Sequence, residues 1–230
     1  MIARERIVPI AILVVSLMII GVIGMLGGWN GILEKSDAPV VTVSVESGSV
    51  DPLNDGRLVS VQGTLEFERP AADEEMGVTD SAAAVLLRRV EMYQWQESCI
   101  ADSCTQTLGW FPELIDATQF NEKLGHRNPS QFPFASQTFF ADGVRLGAFT
   151  PSMELVAAQA PMQARPVRLL EMHANLAASF SELDGGIFAG NDFLNPIAGD
   201  LRITYHMVPT GTVTLVGVQD GNRLLPAPAE

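Results

Sequence analysis

Residues Arg88–Ser98 read "RRVEMYQWQES" and run straight into "CIADSC" at Cys99 to Cys104. Read as a strand, the stretch puts Arg89, Glu91, Tyr93, Trp95 and Glu97 on one face and Val90, Met92, Gln94 and Gln96 on the other. Read as a helix, it extends Ala82 to Val90, which has good helix propensity. A strand is the better choice, because two aromatics and two cysteines are followed by a second β-like run, "TQTLGWF" (Thr105 to Phe111). Arg89 and Glu91 then project from one face, and each is expected to meet an opposite charge on a neighbouring strand, worth about 0.2–1 kcal/mol. Tyr93 and Trp95 supply apolar area with one polar handle each, and an arginine over an indole adds cation–π attraction. All of this serves packing without any substrate. The same residue types also dominate binding hot spots, which makes Arg89, Tyr93 and Trp95 the candidate partner contacts.

Upstream, "VVTVSVES" alternates Val41, Val43 and Val45 against Thr42, Ser44 and Glu46. "RLVSVQGTLEFE" (Arg57 to Glu68) alternates Val59, Val61, Gly63, Leu65 and Phe67 against polar partners. Both have the period of two expected of strands, and Gly63 marks a close backbone approach or a bulge. "RPAADEEMGVTDS" (Arg69 to Ser81) reads as a loop. Downstream, Pro112 to Leu124 reads as a short helix, with Pro112 in its first turn and Gly125 at its end. "HRNPSQFPF" is a loop. "QTFFADGVRLGAF" (Gln137 to Phe149) reads as two strands joined at Asp142-Gly143, a hairpin dipeptide. A helix is expected over Thr150 to Gln159, capped by Thr150 or Ser152. A second is expected over Pro166 to Leu183, where Leu169, Met172, Leu176, Phe180 and Leu183 recur at spacings of three and four. "LRITYHMV", a Pro-Thr-Gly turn, "TVTLVGVQ", Asp220-Gly221-Asn222 and "RLLP" complete a β-rich pattern.

The 230-residue chain is acidic, with a net charge of -13. That balance, without a basic patch, argues against nucleic-acid binding. Ile7 to Leu26, "IVPIAILVVSLMIIGVIGML", has no charge over 20 positions. A helix of that length spans roughly 30 Å, the thickness of the bilayer hydrocarbon. Arg4 and Arg6 precede it, which keeps the amino terminus cytoplasmic and sends the remainder across. A cleaved signal peptide would have an apolar core of about 7–15 residues and an A-x-A-like site, so a retained anchor fits better. The expected organisation is a cytoplasmic terminus (1–6), a transmembrane helix (7–26), a linker (27–39) and one extracytoplasmic domain (40–230). In an exported domain, the C-x4-C spacing of Cys99 and Cys104 suits a disulfide across a short hairpin loop, with free thiols as the alternative.

No H-E-x-x-H, G-x-S-x-G, P-loop or G-x-G-x-x-G motif occurs. His126, His173 and His206 lie in separate segments, so no metal site or cofactor is expected.

"RRVEMYQWQE", "HRNPSQF", "VRLGAF", "GDLRITY" and "QDGNRLLP", in that order behind an amino-terminal anchor, resemble the LUMA family, also called transmembrane protein 43. The resemblance runs from the anchor to about Pro226, and Glu91 to Trp95 is its most specific part. It implies a non-enzymatic membrane protein with a large lumenal or extracytoplasmic domain. In animals it implies residence in the endoplasmic reticulum and inner nuclear membrane, and nuclear-envelope organisation through lamins and emerin. It supplies no catalytic residues. Family members carry further transmembrane helices after the domain, whereas this sequence stops at Glu230.

The expected fold is thus α+β and β-rich: a single transmembrane helix, then antiparallel strands with two or three helices. The expected function is a membrane-anchored scaffold whose partners are the lipid bilayer, through Ile7 to Leu26, and membrane or lumenal proteins, including other copies of itself. The expected location is the inner membrane of a bacterium or the endoplasmic reticulum and inner nuclear membrane of a eukaryote. The alternatives are an exported hydrolase using dispersed acids with His126 or His206, and a tethered lipid or small-ligand binder.

Overall fold

Runs of β-branched and aromatic residues with a period of two are spread along the chain between Val43 and Leu225, and they form strands where partners are available to pair with them. The computed structural model describes residues 42–101 and 103–228. The strands are β1 (Val43–Glu46), β2 (Leu58–Glu66), β3 (Ala72–Asp73), β4 (Val78–Thr79), β5 (Ala83–Ile100), β6 (Ser103–Phe111), β7 (Gln137–Phe140), β8 (Arg145–Leu146) and β9 (Thr150–Pro151). They continue with β10 (Gln163–Arg165), β11 (Ser181–Leu183), β12 (Gly186–Ala189), β13 (Leu201–Pro209), β14 (Gly211–Asp220) and β15 (Arg223–Leu225). Among the described residues, two short helices, α1 (Met153–Gln159) and α2 (Ala174–Ala177), accompany them.

One sheet runs β1-β2-β14-β15-β9, with β8 also on β2. The β1–β2 and β15–β9 pairs are parallel, so this sheet is not purely antiparallel. The other runs β11-β12-β13-β5-β6, with β10 on β13 and β7 on β5, and is antiparallel throughout. The first sheet buries Val59, Val61, Leu65, Val213 and Leu215 against Phe149, Leu155 and Val156. The second buries Leu86, Val90, Met92, Ile187 and Ile203 against Met76, Met172 and Phe180. Each such side chain stabilises the fold by roughly 1.5–3 kcal/mol.

The opening stretch is a strand, and longer than its sequence signal: β5 spans 18 residues. Ala82 to Val90 forms no helix, because its backbone is taken up on one side by β13 and on the other by β7. Pairing of that extent outweighs a propensity difference of a few tenths of a kcal/mol per residue. In β2, Val59, Val61 and Leu65 are buried as the alternation requires. Gly63 makes a close approach rather than a bulge. Its register with β14 is continuous, and a Cβ there would stand 2.9 Å from that of Ser47.

Other expectations are corrected. Pro112 to Leu124 contains only a 3₁₀ turn, Ala117–Gln119. Side chains of β5 hold this segment open: Gln94 donates to the Glu113 carbonyl at 2.9 Å and accepts from the Ile115 N–H at 2.9 Å. Arg69 to Ser81 is not all loop, since β3 and β4 pair within it. The strands around Asp142-Gly143 do not form a hairpin, because β7 joins β5 in one sheet and β8 joins β2 in the other. The backbone of Asp142 pairs instead with Arg69. Of the two caps expected for the helix over Thr150 to Gln159, Ser152 is the one used, its hydroxyl accepting from the Leu155 N–H, so the helix begins at Met153 and Thr150–Pro151 is strand. Pro166 to Leu183 breaks into a 3₁₀ turn (Leu169–Glu171), the four-residue α2 and strand β11. The break falls at His173, whose N–H goes to the Met76 carbonyl and whose ring Nε2 meets the Glu74 carbonyl at 2.9 Å.

The anchor expected at Ile7 to Leu26 and the linker lie outside the described residues. Among the described residues no helix is long and apolar enough to cross a membrane.

Candidate interaction surface

Alternation along β5 sends Arg88, Val90, Met92 and Gln94 inward, where all are buried, and turns Arg89, Tyr93 and Trp95 outward. Glu91 shares their face but is enclosed by two arginines. Arg202 of β13, its cross-strand partner, donates from Nε at 2.6 Å, and Arg89 donates from Nη2 at 3.3 Å. The expected cross-strand charge pair therefore forms for Glu91, while Arg89 pairs along its own strand. Burial alone would raise the Glu91 carboxyl, but the Arg202 hydrogen bond and charge outweigh it and hold the group below its ordinary range.

Arg202 also lies over the Trp110 ring, 4.9 Å from its centroid. Trp110 packs on Tyr93 at 5.0 Å and on Phe188 at 6.3 Å, and Phe188 packs on Phe193 at 6.2 Å. An aromatic row thus crosses β12, β13, β5 and β6, with Phe193, Leu194 and Ile197 exposed at one end. At the other end, His126 meets Trp95 edge-on at 4.5 Å. Beside it lies a groove of about 630 Å³ lined by Leu114, Ile115, Thr118, Lys123, His126 and Pro129, among others.

Three short motifs, far apart in sequence, meet here. Glu91 to Trp95 forms the middle of β5. Asn128, of "HRNP", docks on the backbone of Trp95, accepting from its N–H at 2.7 Å and donating to its carbonyl at 2.9 Å. It continues the ladder where β13 has ended. Gly199 and Asp200, of "GDLR", bond the backbone of Tyr93 at 2.9 and 2.8 Å. Arg202 of the same motif grips Glu91.

Cys99 and Cys104 are disulfide-bonded and directly opposite across β5 and β6. Glu97, nearby, accepts from the Asn121 N–H, from Gln106 and from Glu122. Those bonds hold its carboxyl low, the Asn121 contact foremost. Glu97, Cys99 and Cys104 are the only described residues whose ligand atoms cluster closely enough for a metal ion. With both sulfurs bonded to each other, they lack thiolates to hold one. His126 Nδ1 meets the Glu122 carbonyl at 3.0 Å, and the buried Nδ1 of His206 has no hydrogen-bond partner among the described residues.

One constellation escaped the sequence. Arg88, 1% exposed, donates to Asp73 Oδ2 at 2.8 Å, to Glu75 at 2.7 Å and to the Ala135 carbonyl at 2.9 Å. Tyr205 donates to the same Asp73 oxygen at 2.7 Å. Burial lowers the arginine and is overcome by the Glu75 hydrogen bond and the Asp73 charge, which leave it above its ordinary value. Burial, and then the bond to Asp73, push the Tyr205 phenol far up. Only the doubled arginine in a strand signals this, since one of two adjacent residues must point inward.

The family model described as Transmembrane protein 43 matches residues 92–230. A Transmembrane protein 43 homolog of Drosophila melanogaster is 26% identical over 217 residues, covering 84% of this chain and 54% of the relative. Transmembrane protein 43 of Mus musculus and of Homo sapiens are each 28% identical over 202 residues, covering 77% of this chain and 49% of the relative. The chain therefore spans about half the length of the curated relatives it matches. No solved structure matches.

Proposed function

The chain belongs to the transmembrane protein 43 family, and from that premise we propose a membrane-anchored, non-enzymatic scaffold that gathers protein partners at a membrane surface. The family name supports attachment to a membrane. The orientation proposed is a cytoplasmic amino terminus with the β-rich domain on the far side, from the charges flanking Ile7 to Leu26. The observation that carries the reading is the convergence of "EMYQW", "HRNP" and "GDLR" on one half-exposed aromatic face. Tyr93, Trp95, Trp110 and Arg202 are residue types that anchor interfaces, and the ion pairs and backbone bonds beneath hold them in place before any partner arrives. Preorganisation of that kind lowers the entropy cost of binding.

The test is a photo-crosslinking residue at Tyr93 or Trp95 in the full chain in native membranes, with exposed Thr214 on the other sheet as control. Reproducible adducts at the first two positions, lost when the companion aromatic is changed to alanine, are expected. Adducts no more reproducible than those at Thr214 would remove the aromatic face from the account. A carboxyl-terminal reporter active only in the cytosol would remove the orientation.

A further inference from the structure

β6 is an edge strand with an open side. The backbone of Tyr93 bonds Gly199 and Asp200, and that of Trp95 bonds Asn128, all on the side of β5 away from β6. Their neighbours Met92, Gln94, Gln96 and Ser98 therefore bond β6, through Phe111, Gly109, Thr107 and Thr105. It follows that Cys104, Gln106, Leu108 and Trp110 turn their backbone N–H and C=O groups outward. Among the described residues nothing bonds them.

Edge strands are ordinarily guarded by charge, proline, a bulge or shortness. β6 has none of these. It spans nine residues without charge or proline, and its register with β5 is unbroken. β1, β10 and β11 are three or four residues long, and each carries a charge: Glu46, Arg165 and Glu182. In a chain of net charge -13, copies repel one another over most of their surface. An uncharged edge is where that repulsion is least.

We propose that β6 pairs with β6 of a second copy of this chain, antiparallel about a two-fold axis at Thr107. This names one partner for the scaffold and rests on the open backbone edge of β6 rather than on its aromatic side chains. The register follows from which groups point outward. With Thr107 opposite Thr107, Cys104 faces Trp110 and Gln106 faces Leu108, so every outward residue meets an outward residue. That pairing makes about eight hydrogen bonds, two for each such pair. It is self-complementary, as a two-fold contact must be. It also makes Thr107 a non-hydrogen-bonded pair, with Cα atoms about 4.5 Å apart. Cys99 and Cys104 occupy the same kind of position, 4.0 Å apart, and are bridged.

The test uses the full chain in membranes. Thr107→Cys should give a covalent dimer under mild oxidation that reduction reverses, while Thr214→Cys gives none. Leu108→Pro added to Thr107→Cys removes an outward N–H without touching the β5 ladder, and should abolish the crosslink with the native disulfide intact. Without cysteines added, Thr107→Lys puts two cations on the axis and should lower the dimer fraction in detergent at least about tenfold. A Thr107→Cys crosslink no stronger than that of Thr214→Cys overturns the proposal, as does a crosslink indifferent to Leu108→Pro. Neither result bears on adducts at Tyr93 or Trp95.

Discussion

Arg88 and Tyr205 face each other across β5 and β13, and both bond the same carboxylate oxygen of Asp73. The two strands are thereby tied to the short β3–β4 segment through one buried acid, itself fully enclosed. Removing any one partner leaves a charge or a hydroxyl in the interior without its counterpart. Arg88→Met should cost about 3–5 kcal/mol in denaturant unfolding, the cost of orphaning a buried charge. Arg89→Met, one residue away and half exposed, should cost less than about 1 kcal/mol. Equal losses would show that the interior pair carries no special weight.

Tyr205 makes the fold sensitive to alkali. Its folded pKa lies above the ordinary value of 10.0, so the folded protein keeps a proton that the unfolded chain gives up. That contribution is whole below about pH 10 and declines as pH rises beyond it towards the folded value. Tyr205→Phe should flatten the alkaline limb of stability against pH. An unchanged limb would assign it to other groups.

Glu91 has the opposite sense. Its carboxyl is held below the ordinary value of 4.5 by Arg202, so its contribution is present above the unfolded value and is lost as pH falls through the folded one. Glu91→Gln should shrink the loss of stability on acidification below about pH 4.5, measured by Trp fluorescence in denaturant at each pH. The same variant should loosen Arg202 over Trp110.

The Cys99–Cys104 bridge closes a very short loop, at the low end of the roughly 2–4 kcal/mol typical of disulfides. The double variant Cys99→Ser, Cys104→Ser should unfold at lower denaturant by about 2 kcal/mol. Its loss of protection in hydrogen exchange should concentrate at the β5–β6 tip.

Strands with their own alternation were legible in the sequence. β2, β13 and β14 carry a period of two that needs no partner to be recognised, whereas β5 was read as a strand from the aromatics, cysteines and β-like run that follow it. The disulfide was legible too, since four residues between two cysteines leave only a tight loop to span. What misled were segments whose backbone is claimed by distant groups. Leu169 to Leu183 has helical spacing, yet His173 gives its N–H to Met76. Asp142-Gly143 has hairpin chemistry, yet its flanking strands join different sheets. Of the interaction surface, Arg89, Tyr93 and Trp95 were visible as residue types. Trp110, Phe188 and Arg202 came to them only through pairing.

By itself, then, the sequence determined the β-rich character and the pairing of side chains along β5 once it is read as a strand, and it put Cys99 and Cys104 within reach of a bridge, because each depends on residues within a few positions of one another. Tertiary structure alone decided which strand lies beside which, that Arg88 is buried on Asp73, and that three remote motifs share one surface. Those outcomes depend on where a backbone N–H or a charge finds its partner, and no local pattern encodes a partner that lies from 15 to 132 residues away.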